Sequence, residues 1–172
     1  MSDSDTGTIR VFAGDCTITF EGDRDRTQRG RVVVVVKPDR TTLVHDADGY
    51  QPVAWLTRPD SLTVEADDAG FGLVARAGDQ VLRVISHHTS GRAAYPVSEA
   101  GVPVGTDPET DEPLVRAGGD VRGVDSGVRY PLPAGASVTD ESCASCGLPT
   151  IRAEAGEPFE VCLDRSCESL DD

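Results

Sequence analysis

"RVVVVVKPDRTTLVHDADGYQPVAWL", residues 31–56, decides the fold. Its five consecutive valines at 32–36 are β-branched and suit a pleated strand. Pro38-Asp39 then breaks the run, "TTLVHD" at 41–46 resumes it, and Asp48-Gly49 with Pro52 breaks it again before Trp55. The valines do not alternate with polar residues, so the run predicts a central strand covered on both faces. Trp55 is the only tryptophan of the chain and falls where the backbone is turning, an unusual place for so large an apolar side chain.

The same short period continues on both sides. "TIRVFA" (8–13), "CTITFE" (16–21), "SLTVEA" (61–66), "FGLVARA" (71–77) and "QVLRVISH" (80–87) read as strands. Turn signals separate them at Gly14-Asp15, Gly22-Asp23, Ala69-Gly70 and Gly78-Asp79, the last joining its neighbours as a hairpin. No segment shows a helical period of ten residues or more. Residues 8–88 therefore read as an all-β domain, a β-sandwich or half-barrel, behind a disordered acidic N-terminus at 1–7. Residues 89–140 are rich in Gly, Pro and Asp with short apolar pairs between, and read as a linker or a set of short hairpins. Residues 141–172 form a small C-terminal unit defined by cysteines.

The chain of 172 residues carries 16 basic and 30 acidic side chains, net −14, and Lys37 is its only lysine. That balance points to a protein adapted to concentrated salt, where carboxylates hold water and cations and salt screens their repulsion. An acidic protein of ordinary salt tolerance has the same composition. Residues 8–90 are nearly neutral, with 10 basic against 12 acidic residues, and "RDRTQRGR" at 24–31 is their one basic concentration. The start "MSDSDTGTIRVF" has neither a basic n-region nor an apolar h-region, and no apolar run is long enough to cross a membrane. A cytoplasmic location without membrane contact is expected, where thiols stay reduced.

Cys143-x2-Cys146 and, fifteen residues on, Cys162-x4-Cys167 carry the strongest chemical signal. Two thiolate pairs on tight turns can converge on one tetrahedral Zn²⁺, with Gly147 placed to close the first knuckle. The intervening "LPTIRAEAGEPFEV" suits a hairpin turning at Ala155-Gly156. Disulfides and uncoordinated thiols are the alternatives, and a reducing compartment disfavours both. With four cysteines and no open ligand position, the expected cofactor is one structural zinc ion. The pattern of Cys143, Cys146, Gly147, Pro149, Gly156, Phe159, Cys162 and Cys167 resembles the C4 zinc ribbons of type IA DNA topoisomerases. In that family the ribbons commonly help hold single-stranded DNA; here Arg152 and Arg165 face many carboxylates, and a structural or protein-contacting ribbon is an equal expectation.

Five features in order resemble the N-terminal domain of the NucS/EndoMS mismatch-endonuclease family. They are Cys16, Glu21-Gly22 followed by arginines, Val32–Lys37, Leu43-Val44-His45, and Pro52-Val53-Ala54-Trp55. The resemblance implies a dimerising, DNA-binding β-domain whose tryptophan packs on an unpaired or extruded base. Base-on-indole stacking is worth roughly 1–3 kcal/mol and needs no hydrogen-bond code. Backbone phosphates would then meet Arg24, Arg26, Arg29 and Arg31, whose forked donors suit them, with Tyr50 nearby. The alternatives are a tryptophan that plugs the end of the barrel and arginines on a solvated face between Asp23 and Asp25. The family commonly has Asn before the tryptophan, and Ala54 stands there, which implies weakened mismatch discrimination. Its nuclease needs a carboxylate-x-Lys arrangement, and the one lysine here follows five valines. Its clamp-binding tail is not recognisable in "CESLDD".

Cys16 alternates into an apolar strand as a core thiol, His45 ends a strand, and His87-His88 point to opposite strand faces. The expected protein is thus a non-catalytic reader of single-stranded or distorted DNA, in the setting of DNA repair. It is expected to be a homodimer through its N-terminal domain, with a repair or replication protein as a further partner. The competing expectation is a dimeric protein-interaction adapter with a purely structural zinc ribbon.

Overall fold

The computed structural model describes residues 7–168; the expected acidic N-terminal tail, Gly7 excepted, and the last four residues lie outside the described residues. Fourteen strands and no helix are found among them. The backbone divides into two compact units, Met1–Val97 and Ser98–Asp172.

The first unit is one antiparallel sheet made of β1 (Thr8–Glu21), β2 (Arg26–Val36), β3 (Thr42–His45), β4 (Ala54–Leu56), β5 (Ser61–Ala66), β6 (Phe71–Ala77) and β7 (Gln80–Pro96). The strands lie in the order β4-β3-β2-β1-β7-β6-β5. The sheet curls until β4 touches β6 and β7, so a single sheet packs against itself as a half-barrel rather than as two stacked layers. Even-numbered residues of β1 and β2 point into the curl. Val32, Val34 and Val36 meet Ile18, Leu73 and Leu82 there, and Phe12 tilts against Phe71 with ring centroids 5.1 Å apart. Each fully buried Val or Leu contributes about 1.5–3 kcal/mol relative to exposure.

Three details differ from the sequence reading. The five valines are covered on one face only: Val33 is 41 % exposed on the outer side of the sheet. Valine suits a pleated strand on either face, so an unbroken run does not reveal how many faces are covered. Gly14-Asp15 is not a turn, because β1 runs straight through it with a bulge against β7. A Cβ on Gly14 would stand 2.1 Å from the His88 carbonyl oxygen, so the glycine serves close strand approach. Finally, β7 continues to Pro96, because the second half of its length pairs with the start of β1.

The second unit holds β8 (Val102–Thr106), β9 (Pro113–Ala117), β10 (Asp120–Gly123) and β11 (Arg129–Pro131) in a four-stranded sheet ordered β11-β10-β9-β8. A second sheet contains β12 (Ser137–Ser142), β13 (Pro149–Ala155) and β14 (Glu157–Cys162), with the β13–β14 hairpin turning at Gly156 as the spacing suggests. The Gly/Pro-rich stretch thus contains short hairpins. Their Leu114 and Val121 share one core with Leu148, Ile151, Leu163 and the cysteines. Buried Glu112 fastens the β10–β11 turn by accepting from the amides of Asp125 and Ser126 and from the Ser126 hydroxyl.

Candidate nucleic-acid interface and metal centre

β4 is a three-residue edge strand whose alternation decides the position of the tryptophan. Ala54 and Leu56 point into the core, and Trp55 is turned the other way and 52 % exposed. It is therefore not a plug for the barrel. A cavity of about 690 Å³ opens beside it at the end of the half-barrel. The indole shares its lining with Phe20, Arg24, Arg26 and Leu56, among others. The Arg26 guanidinium donates to the Val53 carbonyl and so ties the β1–β2 loop to the residue two before Trp55. Asp25 caps the same loop by accepting from the Gly22 amide at 3.1 Å.

The four arginines of 24–31 separate into two pairs. Arg24 and Arg26 line the cavity with Trp55, interleaved with Asp23 and Asp25. Arg29 and Arg31 point to the outer face of β2. Pairing register puts Arg31 two strands and four residues from Trp55, roughly 16 Å away, and Arg29 roughly 22 Å away. Arg29 forks onto Asp15 at 2.9 and 3.1 Å. That bond outweighs desolvation and, with the charges of Arg29, His87 and Arg31, holds the Asp15 carboxyl below its ordinary range. Both side chains are substantially exposed, so the pair adds little stability. Tyr50 is 88 % exposed on the β3–β4 loop, outside the cavity lining.

The outer face also carries a feature that the sequence reading missed. Trp55 pairs with Leu43, Leu43 with Val35, Val35 with Val11, and Val11 with Ala93, giving an apolar row across five strands. Odd-numbered apolar residues within strands were its signal, hidden by the expectation that both faces were covered. Of the remaining candidates, Cys16 is fully buried, and burial with the Asp15 charge pushes its thiol up to about 11, so it is a core thiol. His87 shares a 2.7 Å hydrogen bond with the Thr17 hydroxyl.

In the second unit the metal-capable side chains converge. The sulfurs of Cys143, Cys146, Cys162 and Cys167 lie within 4.8 Å of one another. Cys146 and Cys162 approach to 3.4 Å and Cys143 and Cys167 to 3.8 Å, well beyond a 2.05 Å disulfide bond. The first knuckle closes with the Cys143 amide on the Leu148 carbonyl at 2.7 Å and the Gly147 amide on the Cys143 carbonyl at 2.8 Å. Gly147 has φ +79°, a conformation that favours glycine. Asp164 orders the second knuckle, its carboxylate accepting from the Ser166 amide and its carbonyl from the Cys167 amide. Burial pushes the Cys146 and Cys162 thiols up. Four sulfurs so arranged can bind a metal ion, and an all-thiolate set favours a soft or borderline one.

Comparison with protein-family models matches residues 6–100 to the "Endonuclease NucS N-terminal PH-like domain". No curated protein matches the chain. Solved structures similar to the chain include the following three. The apo form of EndoMS has TM-score 0.46 and 19% identity, over 56% of this chain and 47% of that one. A complex of EndoMS with double-stranded DNA has TM-score 0.47 and 17% identity, over 76% and 64%. A repair endonuclease from Pyrococcus abyssi has TM-score 0.42 and 15% identity, over 76% and 65%. The chain thus spans between about half and two thirds of the length of these proteins. Among the described residues, no helix is long and apolar enough to cross a membrane.

Proposed function

The chain belongs to the endonuclease NucS N-terminal PH-like domain family, and from that premise we propose that it binds single-stranded or distorted DNA in a repair setting without cutting it. The observation that carries the reading is a half-exposed Trp55 at a cavity that Arg24 and Arg26 also line. A base stacks on the indole, which contributes roughly 1–3 kcal/mol without reading sequence. Arg24 and Arg26 meet the flanking phosphates, while Arg29 and Arg31 extend the contact along the outer face. Ala54 points into the core and offers a base no polar group. Distortion, not mismatch identity, is therefore what this site reads.

The non-catalytic part rests on chemistry. Lys37, the only lysine, ends the valine run, and no carboxylate-x-Lys pair can be built around it. The four cysteines hold one structural Zn²⁺ that fixes the second unit. The test is Trp55 fluorescence of the full chain titrated with single-stranded, paired and mismatched oligonucleotides. Saturable quenching by single strands supports the reading. An indole unmoved by every oligonucleotide contradicts it.

The apolar row favours a second reading that is compatible with the first. Val35, Leu43 and Val11 lie in register on the outer face, with Val33 exposed beside them, and a second copy of the chain would bury them. If that interface covers Trp55 as well, the protein is a dimeric adapter and the indole is closed to bases.

A further inference from the structure

Among the described residues, three other than glycine have positive φ: Arg40 at 68°, Arg58 at 45° and Asp111 at 61°. Aspartate tolerates that region through its short polar side chain, whereas arginine gains nothing there that glycine would not give more cheaply. The two arginines lie on adjoining loops. The β2–β3 turn is closed by the Arg40 amide on the Lys37 carbonyl and the Lys37 amide on the Thr41 carbonyl, both at 2.9 Å. The Arg58 amide donates to the buried Thr41 hydroxyl at 3.0 Å, which joins the β4–β5 loop to that turn. All these bonds use backbone donors, so a glycine at 40 or 58 would keep every one of them.

What arginine adds is two guanidinium groups and their direction. Arg40 Nη1 donates to the Asp60 carbonyl at 2.9 Å, and Arg58 Nε reaches Asp39 at 3.3 Å with its side chain 80 % exposed. Asp39 also accepts from the Thr41 amide, and Asp60 from the Gly78 amide of the β6–β7 turn. Among the described residues the two Nη groups of Arg58 have no partner, and Lys37 stands in the same turn. The location is as informative as the charge. Arg26 meets β4 at Val53, before Trp55, while Thr41 receives Arg58 after it, and Leu56 pairs with Thr42. Arginines therefore border β4 along the chain at both ends, Arg26 held at Val53 before Trp55 and Arg58 two residues after Leu56.

We infer that Arg40 and Arg58 form a second phosphate site, on the side of Trp55 opposite Arg24 and Arg26. Its ligand is the phosphodiester backbone of a single strand whose base rests on the indole. This rests on the DNA-binding reading above and extends it by fixing the track of the strand along β4 and across the β2–β3 turn.

Arg40→Gly and Arg58→Gly in the full chain separate the roles of side chain and backbone. Both variants should melt at or above the wild-type temperature, because glycine suits the positive φ. Binding of an oligothymidylate, read by anisotropy of a label on the DNA, should lose about 0.7 from its log–log salt slope per arginine. The gap between wild type and each variant then widens roughly fivefold from 2 M to 0.2 M KCl. Wild type that binds while both variants keep its slope overturns the second site alone. Wild type that never binds removes the DNA-binding reading itself. Inorganic phosphate is the second probe. If it binds wild type saturably and is lost in Arg58→Gly while oligonucleotide binding is unchanged, the site serves a free anion and the strand track is wrong.

Discussion

Removing the metal from the cysteine cluster should unfold the second unit and leave the first folded. The four sulfurs are part of one core with Leu114, Val121, Leu148, Ile151 and Leu163, not an appendage to it. A unit of this size has a net stability of about 4–11 kcal/mol at typical per-residue values. A structural Zn²⁺ on four thiolates contributes about 10–16 kcal/mol near neutral pH. The second quantity equals or exceeds the first, so the apo unit should not stay folded. The assay is stepwise chelation of the full chain, with released zinc counted colorimetrically and amide exchange followed by mass spectrometry. One zinc per chain should leave as amides of 113–123 and 149–162 lose protection, while those of β1, β2 and β7 keep theirs. Cys162→Ser should reproduce the pattern without chelator. Retained protection across 113–123 after all metal has gone would refute the reasoning. It would mean that the apolar residues alone hold that core.

Gly14→Ala should cost more than about 3 kcal/mol in chemical denaturation followed by circular dichroism, since its Cβ would meet the His88 carbonyl at 2.1 Å. Gly30→Ala on the neighbouring strand, with nothing within 4 Å of the added carbon, should be neutral or slightly stabilising. Hydrogen bonds from the Ser126 hydroxyl and the Ser126 and Asp125 amides hold the Glu112 carboxyl below its ordinary range. A carboxyl depressed on folding contributes stability above its unfolded pKa and loses it as pH falls through the folded one. The melting temperature of the second unit should therefore drop on acidification below the usual glutamate range, and Glu112→Gln should flatten that dependence. Val33→Glu should lower the light-scattering mass from twice 18.1 kDa to the single-chain value if the outer apolar face joins two copies.

What the sequence reveals depends on how local each signal is. The cysteine pairs were legible because each knuckle is specified within about six residues, and the hairpins at 78–79 and 155–156 because glycine marks their turns. Gly14 was misread because a glycine that permits close strand approach looks, in one dimension, like a glycine that permits a turn. The valine run gave its strand and not its faces, since the outer face is defined by strands that pair with it from distant parts of the chain. Trp55 was legible as an anomaly; its exposure follows from alternation within a strand too short to recognise. The tightly turned arginines at 40 and 58 were invisible, because nothing in their neighbours announces a positive φ. Of the arginines at 24–31, composition marked the cluster. Only the fold separates the two that share a cavity with the indole from the two that do not.

The central claim is that the indole of Trp55 is a stacking surface for a base. The most direct test compares wild type with Trp55→Ala for binding of a labelled single strand in 2 M KCl, where phosphate contacts are strongly screened. The account predicts a loss of roughly 5- to 150-fold, the equivalent of about 1–3 kcal/mol of stacking, with the melting temperature unchanged because the side chain is half exposed. Equal affinity of the two proteins at that salt would contradict it.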